Sequence, residues 1–219
     1  MKVTIVNDCA HVGWTIKEEL EKRGIEVIYL PRSRSLWGKL ITPMLNSWRA
    51  SHRSIIHCNY ALQDAWWLAK MGKLDVLHCH GSDVRHPFNR EILDYICKEA
   101  TAILVATEDL INFGVSGHYI PTPIDFEIFK NLASNEGKLV WGRYGISYDN
   151  MPYFLNNFSE FYDNDRVPYL SKMALEAMAC GLQVYKYGNL VEGYPLENHD
   201  VRKVTDKLLK VYDLVDELK

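Results

Sequence analysis

The stretch Leu74-Asp75-Val76-Leu77-His78-Cys79-His80-Gly81-Ser82-Asp83 joins an apolar run to a short polar turn. The apolar run predicts a β-strand. The turn predicts the start of a helix, because Gly81 permits a tight turn and Ser82 and Asp83 are residue types that cap helix N-termini. The stretch therefore has the pattern of one strand-to-helix unit of an α/β sheet, with polar residues at the carboxyl end of the strand.

The same alternation of strand and helix covers the first half of the chain. Short β-branched runs are the candidate strands, at residues 3–6, 26–30, 55–57, 76–78 and 102–105. Segments with apolar residues at helical spacing lie between them, at residues 16–23, 61–71 and 91–99. This alternation predicts an α/β fold whose first lobe is a Rossmann-like, doubly wound parallel sheet. Ligands of such a sheet bind beyond the carboxyl ends of the strands, where the strand order reverses.

A second, smaller lobe follows a proline-containing connection. Pro121 and Pro123 disfavour a continuing helix, and the polar residues 131–137 have the composition of a linker. Beyond them the pattern predicts strands at 138–141 and 183–185 and helices at 169–179 and 200–218. We therefore expect two domains, residues 1–130 and residues 131–219, the second an abbreviated α/β lobe.

Composition excludes several classes of protein. Of the 219 residues, 47% are hydrophobic and 24% charged, which is typical of a globular protein, and the net charge of −3 provides no general attraction to nucleic acid. The five cysteines are scattered, which fits a reducing compartment. The first residues lack the apolar core of a signal peptide, and no apolar run approaches the ~20 residues of a membrane span. We expect a cytoplasmic protein, whose only possible membrane contact is peripheral, at the inner membrane face.

The polar turn after residue 77 offers the clearest chemistry. The imidazole of His80 can hydrogen-bond a sugar or phosphate oxygen, although glycine, serine and aspartate suit a strand-to-helix turn for structural reasons alone, so both interpretations stay open. The neighbouring His78, Cys79 and His86 are also metal-ligand types. Adjacent strand residues point to opposite faces, however, and no paired Cys-x-x-Cys motif is present, so we expect no metal site.

The first strand-to-helix loop, residues 7–13, lacks the G-x-G-x-x-G spacing that cradles a pyrophosphate, which disfavours a nicotinamide-dependent dehydrogenase. Gly13 either starts the helix or leaves room for a ligand at the helix N-terminus.

Residues 32–53 contain basic and large apolar residues but no acidic ones. This pattern predicts a surface for an acceptor or for anionic headgroups, although packing of the aromatics in the core is an equal alternative. Pro43 predicts two short helical pieces instead of one helix. The residues of the predicted acceptor or membrane surface are Arg32, Arg34, Trp37, Lys39, Trp48 and Arg49.

In the second lobe, residues 171–181 predict a helix that Gly181 ends. Glu176 lies on this apolar helix and is costly to bury unless it is paired. It could bind a sugar or ribose hydroxyl, face solvent, or pair with Lys172 one turn earlier.

Together these stretches resemble the group-one glycosyltransferases of GT-B fold. The matching segments are Gly13 with residues 18–27, residues 57–62 with the HGSD loop at 80–83, residues 119–125 with Phe129, and the LEAMACG helix at 175–181. The resemblance implies two Rossmann-like lobes, an acceptor-side lobe at residues 1–130 and a donor-side lobe at residues 131–219. It also implies retaining transfer of a sugar from a UDP-, GDP- or ADP-sugar to a glycan or lipid-linked hydroxyl, without a metal or another cofactor.

The resemblance also implies roles for particular residues. His80 would approach the donor sugar or its leaving phosphate, with Asp83 beside it as the second catalytic residue, and Glu176 would hold the ribose. The remaining predicted donor-binding residues are Gly13, Arg143, Ser171 and Lys172.

Three departures from the family pattern keep a second hypothesis open. Pro168 stands where the family has a second glutamate, Tyr148-Asp149-Asn150 stands where a lysine is expected, and the second lobe is short. The alternative is a degenerate member that binds a sugar or a partner without catalysis, and a further subunit could complete a shortened cleft. A hydrolase or epimerase is disfavoured because no nucleophile elbow or carboxylate pair is apparent.

Overall fold

The computed structural model describes residues 1–33, 36–85, 90–132, 136–142 and 144–219, with the backbone alone for residues 36–40. The chain divides into two compact units. The first consists of residues 1–121 together with 204–219, and the second consists of residues 122–203. In the described part of the chain, no helix has both the length and the apolar character needed to cross a bilayer.

A six-stranded parallel sheet forms the centre of the first unit. Its strands are β1 (Lys2–Val6), β2 (Glu26–Leu30), β3 (Ile55–Asn59), β4 (Val76–Cys79), β5 (Ala102–Val105) and β6 (His118–Tyr119). The spatial order is β2-β1-β3-β4-β5-β6, and every neighbouring pair is parallel. The prediction of a Rossmann-like α/β sheet is thereby confirmed, and the order reverses between β1 and β3. All five strands predicted for this lobe are present; β6 was not predicted.

Helices cover both faces of this sheet. In chain order they are α1 (Val12–Lys22), α2 (Leu36–Arg49), α3 (Gln63–Lys70), α4 (Ser82–Arg85) and α5 (Arg90–Glu99). Alternate strand residues point to opposite faces, so Ile56 and Cys58 pack in the layer of α3 and α5, while Ile55 packs in the layer of α1. Burying each large aliphatic side chain contributes about 1.5–3 kcal/mol, which makes these two layers the main stabilising cores.

The second unit has a four-stranded sheet of order β10-β9-β8-β7. Its elements are β7 (Lys138–Val140), α6 (Met151–Leu155), β8 (Glu160–Asp163), α7 (Lys172–Ala179), β9 (Gln183–Lys186) and β10 (Asn189–Leu190). The first three strands are parallel, and β10 returns antiparallel to β9. The helix and the two strands predicted here before residue 200 are present as α7, β7 and β9, whereas α6, β8 and β10 were not predicted.

The terminal helix α8 (Val201–Glu217) belongs largely to the first unit, which includes the chain from Val204 onward. Its apolar stripe, which includes Leu208 and Tyr212, is buried in the same layer as Ile5 and Ile16. The sequence interpretation instead assigned this helix to a second domain beginning at residue 131. Local periodicity defines the apolar stripe of a helix but does not say which sheet will bury it.

The segment around Pro43 differs from its prediction. Instead of two short pieces, α2 is a single helix of 14 residues with Pro43 inside it. Asn46 and Ser47, in the turn after the proline, are buried and hydrogen-bonded to the first unit. Such tertiary contacts offset the cost of an interior proline, which is about 3 kcal/mol.

Candidate functional site

A cavity opens at the carboxyl edge of the first sheet, where the strand order reverses between β1 and β3. Its volume is about 370 Å³, within the range of small-molecule sites. We call it the switch-point cavity, and its lining residues are Asn7, Asp8, Cys9, Ala10, Arg32, Ser33, Tyr60 and Leu62. Its position agrees with the general rule that open α/β sheets bind ligands at this point.

The loops around this cavity hold a strained backbone. Five described residues other than glycine have positive φ angles, and four of them lie in the loops after β1 and β3. They are Asn7 (63°), Ala10 (51°), His11 (59°) and Tyr60 (121°). Conformations of this kind cost about 1–3 kcal/mol each and concentrate at ligand-binding sites. The fold therefore maintains an unfavourable backbone where a ligand would bind.

Carboxylates hold these loops in place. The Asp8 carboxylate accepts hydrogen bonds from the Gly13 N–H, at 2.9 Å, and from the Tyr29 hydroxyl. The fully buried Asp64 accepts one from the Asn7 side chain at 3.3 Å. Burial raises the pKa of Asp64, and the positive charge of Arg32 acts in the opposite direction. Arg32, which the sequence predicted to belong to an acceptor or membrane surface, lines the switch-point cavity.

His80 lies beside Asn59 at the ends of neighbouring strands. The His80 Nε2 atom is 3.3 Å from the Asn59 Oδ1 atom. Since an amide oxygen can only accept, His80 donates through Nε2 in this arrangement. Gly13 completes the group, because a Cβ at this position would approach the Asn59 Nδ2 atom to 2.7 Å. The space at Gly13 is therefore used for close packing of α1 on β3.

Two further imidazoles extend from His80 into the core. The ring centroids of His80 and His78 are 4.2 Å apart, and those of His78 and His57 are 5.4 Å apart. His57 contacts the Tyr212 hydroxyl through Nδ1, and both His57 and His78 are fully buried. We call these three residues the imidazole row. Burial, and secondarily the neighbouring imidazole, lower the pKa values of His57 and His78 well below the ordinary value.

Asp83 organises the loop that carries His80. Its buried carboxylate accepts hydrogen bonds from the backbone N–H groups of His80, Gly81 and Ala61, at 2.7–3.1 Å. Burial raises the pKa of Asp83, and these backbone hydrogen bonds act against that rise. The contacts give Asp83 a structural function that ties the end of β3 to the end of β4. Its catalytic role stays a prediction.

A partly buried ion pair supports the same loop. Arg85 donates two hydrogen bonds of 2.8 Å to the Asp109 carboxylate and one of 2.9 Å to the Thr107 hydroxyl. Gly81 has a φ of 132°, and a Cβ there would collide with the Arg85 guanidinium. Glycine is thus required at position 81 by both its backbone angle and the close guanidinium, which is the structural interpretation that the sequence left open.

In the second unit, the predicted donor-binding residues meet on α7. Ser171 caps the helix, with its Oγ accepting from the Ala174 N–H at 3.2 Å. The Lys172 Nζ is 3.3 Å from the Glu176 Oε1 and lies over the Tyr148 ring, 4.6 Å from its centroid. Glu176 is only 5% exposed. Burial raises the pKa of Glu176, and Lys172 opposes that rise. Pairing with Lys172 is one of the alternatives that the sequence had left open.

The structure thus brings Gly13, His80 and Asp83 together in the first unit and Ser171, Lys172 and Glu176 together in the second. Trp48 and Arg49 lie exposed on α2. Arg34 and Arg143 lie outside the described residues, as do the side chains of Trp37 and Lys39. No group of three histidine, cysteine, aspartate or glutamate residues in the described chain is arranged to hold a metal ion.

Sequence reasoning missed four residues of the site: Asn59, Tyr60, Asp64 and Arg85. Asn59 and Tyr60 come two and three residues after the end of the strand predicted at 55–57, so their position near its carboxyl end was a signal that could have identified them. Asp64 and Arg85 lie in ordinary helical patterns, and only tertiary packing shows that one is buried beside the cavity and the other beneath the HGSD loop.

The fold and the cavity define the first unit as a Rossmann-like α/β unit with an open cavity at its switch point. Comparisons with models of known protein families and with curated proteins give no match.

Proposed function

We propose that this chain is a glycosyltransferase that moves a sugar from a nucleotide-sugar donor to a hydroxyl acceptor with retention of configuration, on a fold of the GT-B type. One observation carries the proposal. His80, Asn59 and Gly13 converge at the carboxyl edge of a Rossmann-like sheet, next to an open cavity of about 370 Å³. The resemblance of the HGSD loop and of the α7 segment to group-one glycosyltransferases supports the same function.

The chemistry of the cavity suits a polyhydroxylated ligand. Asp8 offers a carboxylate, Arg32 a guanidinium, and Asn7 and Tyr60 an amide and a phenol, all of which hydrogen-bond hydroxyl groups. Tyr60 also contacts the Ser82 hydroxyl, which links this cavity to the HGSD loop. We therefore assign the acceptor, the molecule whose hydroxyl group receives the transferred sugar, to the switch-point cavity.

In the proposed reaction, the bond between the sugar C1 and the diphosphate oxygen breaks, and the diphosphate keeps the electron pair. The acceptor oxygen forms the new bond on the same face of the sugar, and its proton passes to the departing phosphate oxygen. Fixed dipoles that face the developing charge provide the main stabilisation in such reactions. His80, oriented by Asn59, is the group that we expect to contact the sugar or the leaving phosphate.

Titration with UDP-, GDP- and ADP-sugars tests the proposal, by calorimetry and by assay of sugar transfer. We expect saturable binding of at least one donor, loss of turnover in His80→Ala, and normal turnover in His52→Ala, a matched change of an exposed histidine. If no donor binds the wild-type protein, the proposed function is wrong.

A second candidate is a sugar-binding or partner-binding module without catalysis. The buried pair of Lys172 and Glu176 favours it, because each charged group is engaged with the other instead of facing solvent. Pro168, which replaces a family glutamate, points the same way. This alternative predicts binding of free glycan without turnover. Donor hydrolysis or transfer that disappears in His80→Ala would exclude it.

A further inference from the structure

In the part of helix α2 whose side chains the structure describes, residues 41–49, the amphipathic faces are reversed. The residues that this part buries are polar or small, namely Pro43, Asn46 and Ser47. The residues that it exposes are large and apolar, namely Ile41 (48% exposed), Met44 (42%), Leu45 (39%) and Trp48 (73%). Their spacing of three and four residues aligns these four side chains along one side of the helix. We call this surface the apolar face of α2.

Specific contacts fix the helix in this rotation. The Asn46 Nδ2 donates to the carbonyl oxygens of Leu30, at 3.1 Å, and Pro31, at 3.3 Å. The Ser47 hydroxyl donates to the Asp64 carbonyl oxygen at 3.4 Å. Rotating the helix to turn its apolar face inward would break these hydrogen bonds. The carbonyl groups of Leu30 and Pro31 would then lack the Asn46 amide as a donor. The outward position of the apolar face is therefore built into the fold of the first unit.

An exposed apolar surface of this kind indicates a binding partner. Contiguous exposed apolar side chains on a soluble unit mark an interaction site, whereas single ones do not. A tryptophan that is 73% exposed at the end of the stripe is the strongest part of this signal, since indole rings partition to the boundary between hydrocarbon and water.

The charge around the apolar face identifies the occupant as anionic. Arg49 and Arg53 are exposed at the carboxyl end of α2 and just beyond it. No aspartate or glutamate occurs between Arg32 and Arg53, in a chain whose net charge is −3. A second copy of the chain would bring the same cations face to face in a symmetric contact, which is unfavourable. A bilayer with acidic headgroups satisfies both the apolar side chains and the cations.

We propose that α2 docks the first unit on an anionic lipid bilayer, with Ile41, Met44, Leu45 and Trp48 in the interfacial region and Arg49 and Arg53 at the headgroup phosphates. The helix lies in the plane of the interface and does not cross it. Docking itself is independent of the transfer reaction. Its consequence, that the acceptor hydroxyl belongs to a lipid-linked molecule, rests on the proposed function.

Sedimentation with sucrose-loaded vesicles tests the docking without any donor present. We expect the full chain to bind vesicles of phosphatidylcholine with about a third phosphatidylglycerol, and to bind pure phosphatidylcholine at least about tenfold more weakly. Leu45→Glu and Trp48→Ser should each weaken binding about tenfold, because each removes a large apolar side chain from the interface. Arg53→Gln should weaken it about fivefold.

Leu214→Glu is the matched control, because Leu214 is an exposed leucine (54%) on helix α8 of the same unit. Vesicle binding should be unchanged in this variant. Equal binding by wild type, Leu45→Glu and Trp48→Ser would overturn the proposal, as would equal binding to neutral and anionic vesicles. Concentration-dependent dimerisation that Trp48→Ser abolishes, without vesicle binding by the wild type, would instead assign the face to a second copy. A failure of donor titration leaves the vesicle result standing, so the two proposals are separable.

Discussion

The two buried members of the imidazole row, His57 and His78, should make the first unit sensitive to mild acid. Both side chains are fully buried, and burial together with the neighbouring imidazoles lowers their pKa values well below 6.5. The groups that face them are His80, the Tyr212 hydroxyl and, at His78, the backbone of Ile120. Burial also raises the pKa of Tyr212, which therefore stays neutral.

The direction of the change in stability with pH follows from the number of protons that the folded and unfolded states bind. Below pH 6.5 the unfolded chain protonates both histidines, whereas the folded chain does not, so stability falls as the pH falls until the lowered pKa values are reached. Each histidine costs up to about 1.4 kcal/mol per pH unit in this range. Between pH 7.5 and pH 5.0 the loss reaches at most about 2 kcal/mol for each ring.

The variant that isolates this effect is His78→Leu. Neither ring nitrogen of His78 makes a well-formed hydrogen bond to another described residue, so an apolar side chain of similar size removes only a weak contact with the Ile120 backbone. We expect little change in stability at pH 7.5 and a gain of about 2 kcal/mol over wild type at pH 5.0, or about 4–8 °C in Tm. Urea denaturation and calorimetry at both pH values measure it.

His52→Gln is the control, because His52 is exposed and its replacement should leave the pH dependence unchanged. Comparing each variant with wild type at the same pH cancels the contributions of the carboxyl groups. Equal pH dependence in His78→Leu and wild type would refute the reasoning and mean that these rings are protonated in the folded protein.

Three further predictions concern the loops and the buried pairs. Asp83→Ala removes the acceptor of three backbone N–H groups and should lower the free energy of unfolding by about 2–4 kcal/mol, with Asp83→Asn intermediate, in urea denaturation. Burial raises the pKa of Asp109, but hydrogen bonds from Arg85 and Thr107 outweigh burial and lower that pKa. The Asp109 carboxylate therefore stabilises the fold above about pH 4, and this stabilisation is lost as the pH falls. Asp109→Asn should be less stable than wild type at pH 7 and show a weaker acid transition by circular dichroism. Glu176→Leu and Lys172→Met should each cost about 3 kcal/mol, and the double variant Lys172→Met/Glu176→Leu should recover most of that loss in a thermal denaturation cycle.

Much of the first unit could be predicted because its signals are local. The strands at residues 3–6 and 102–105 are short β-branched runs, and the helix before Gly24 carries apolar residues at helical spacing. The polar residues after residue 79 follow a strand directly, which places them at the carboxyl edge of any parallel sheet. The position of His80 and Asp83 at this edge could therefore be predicted without knowledge of the strand order.

The partners of these residues could not be predicted, because their proximity depends on which strands are neighbours. Asn59 meets His80 only because β3 lies beside β4, and Arg85 lies beneath Gly81 only because Asp109 and Thr107 hold it there. The environment of Glu176 is a similar case. The spacing in sequence permits an ion pair with Lys172, but only the structure shows that Glu176 is buried and forms that pair.

The sequence by itself determined the alternation of strands and helices, the turn at residues 80–83 and the basic, apolar composition of residues 32–53, since each depends on neighbours along the chain. Tertiary structure alone decided the strand order, the burial of the terminal helix in the first unit and the outward turn of the apolar face of α2. The physical reason is that an amphipathic pattern defines the two faces of a helix, while the choice of which face is buried depends on contacts such as those of Asn46 with residues distant in sequence.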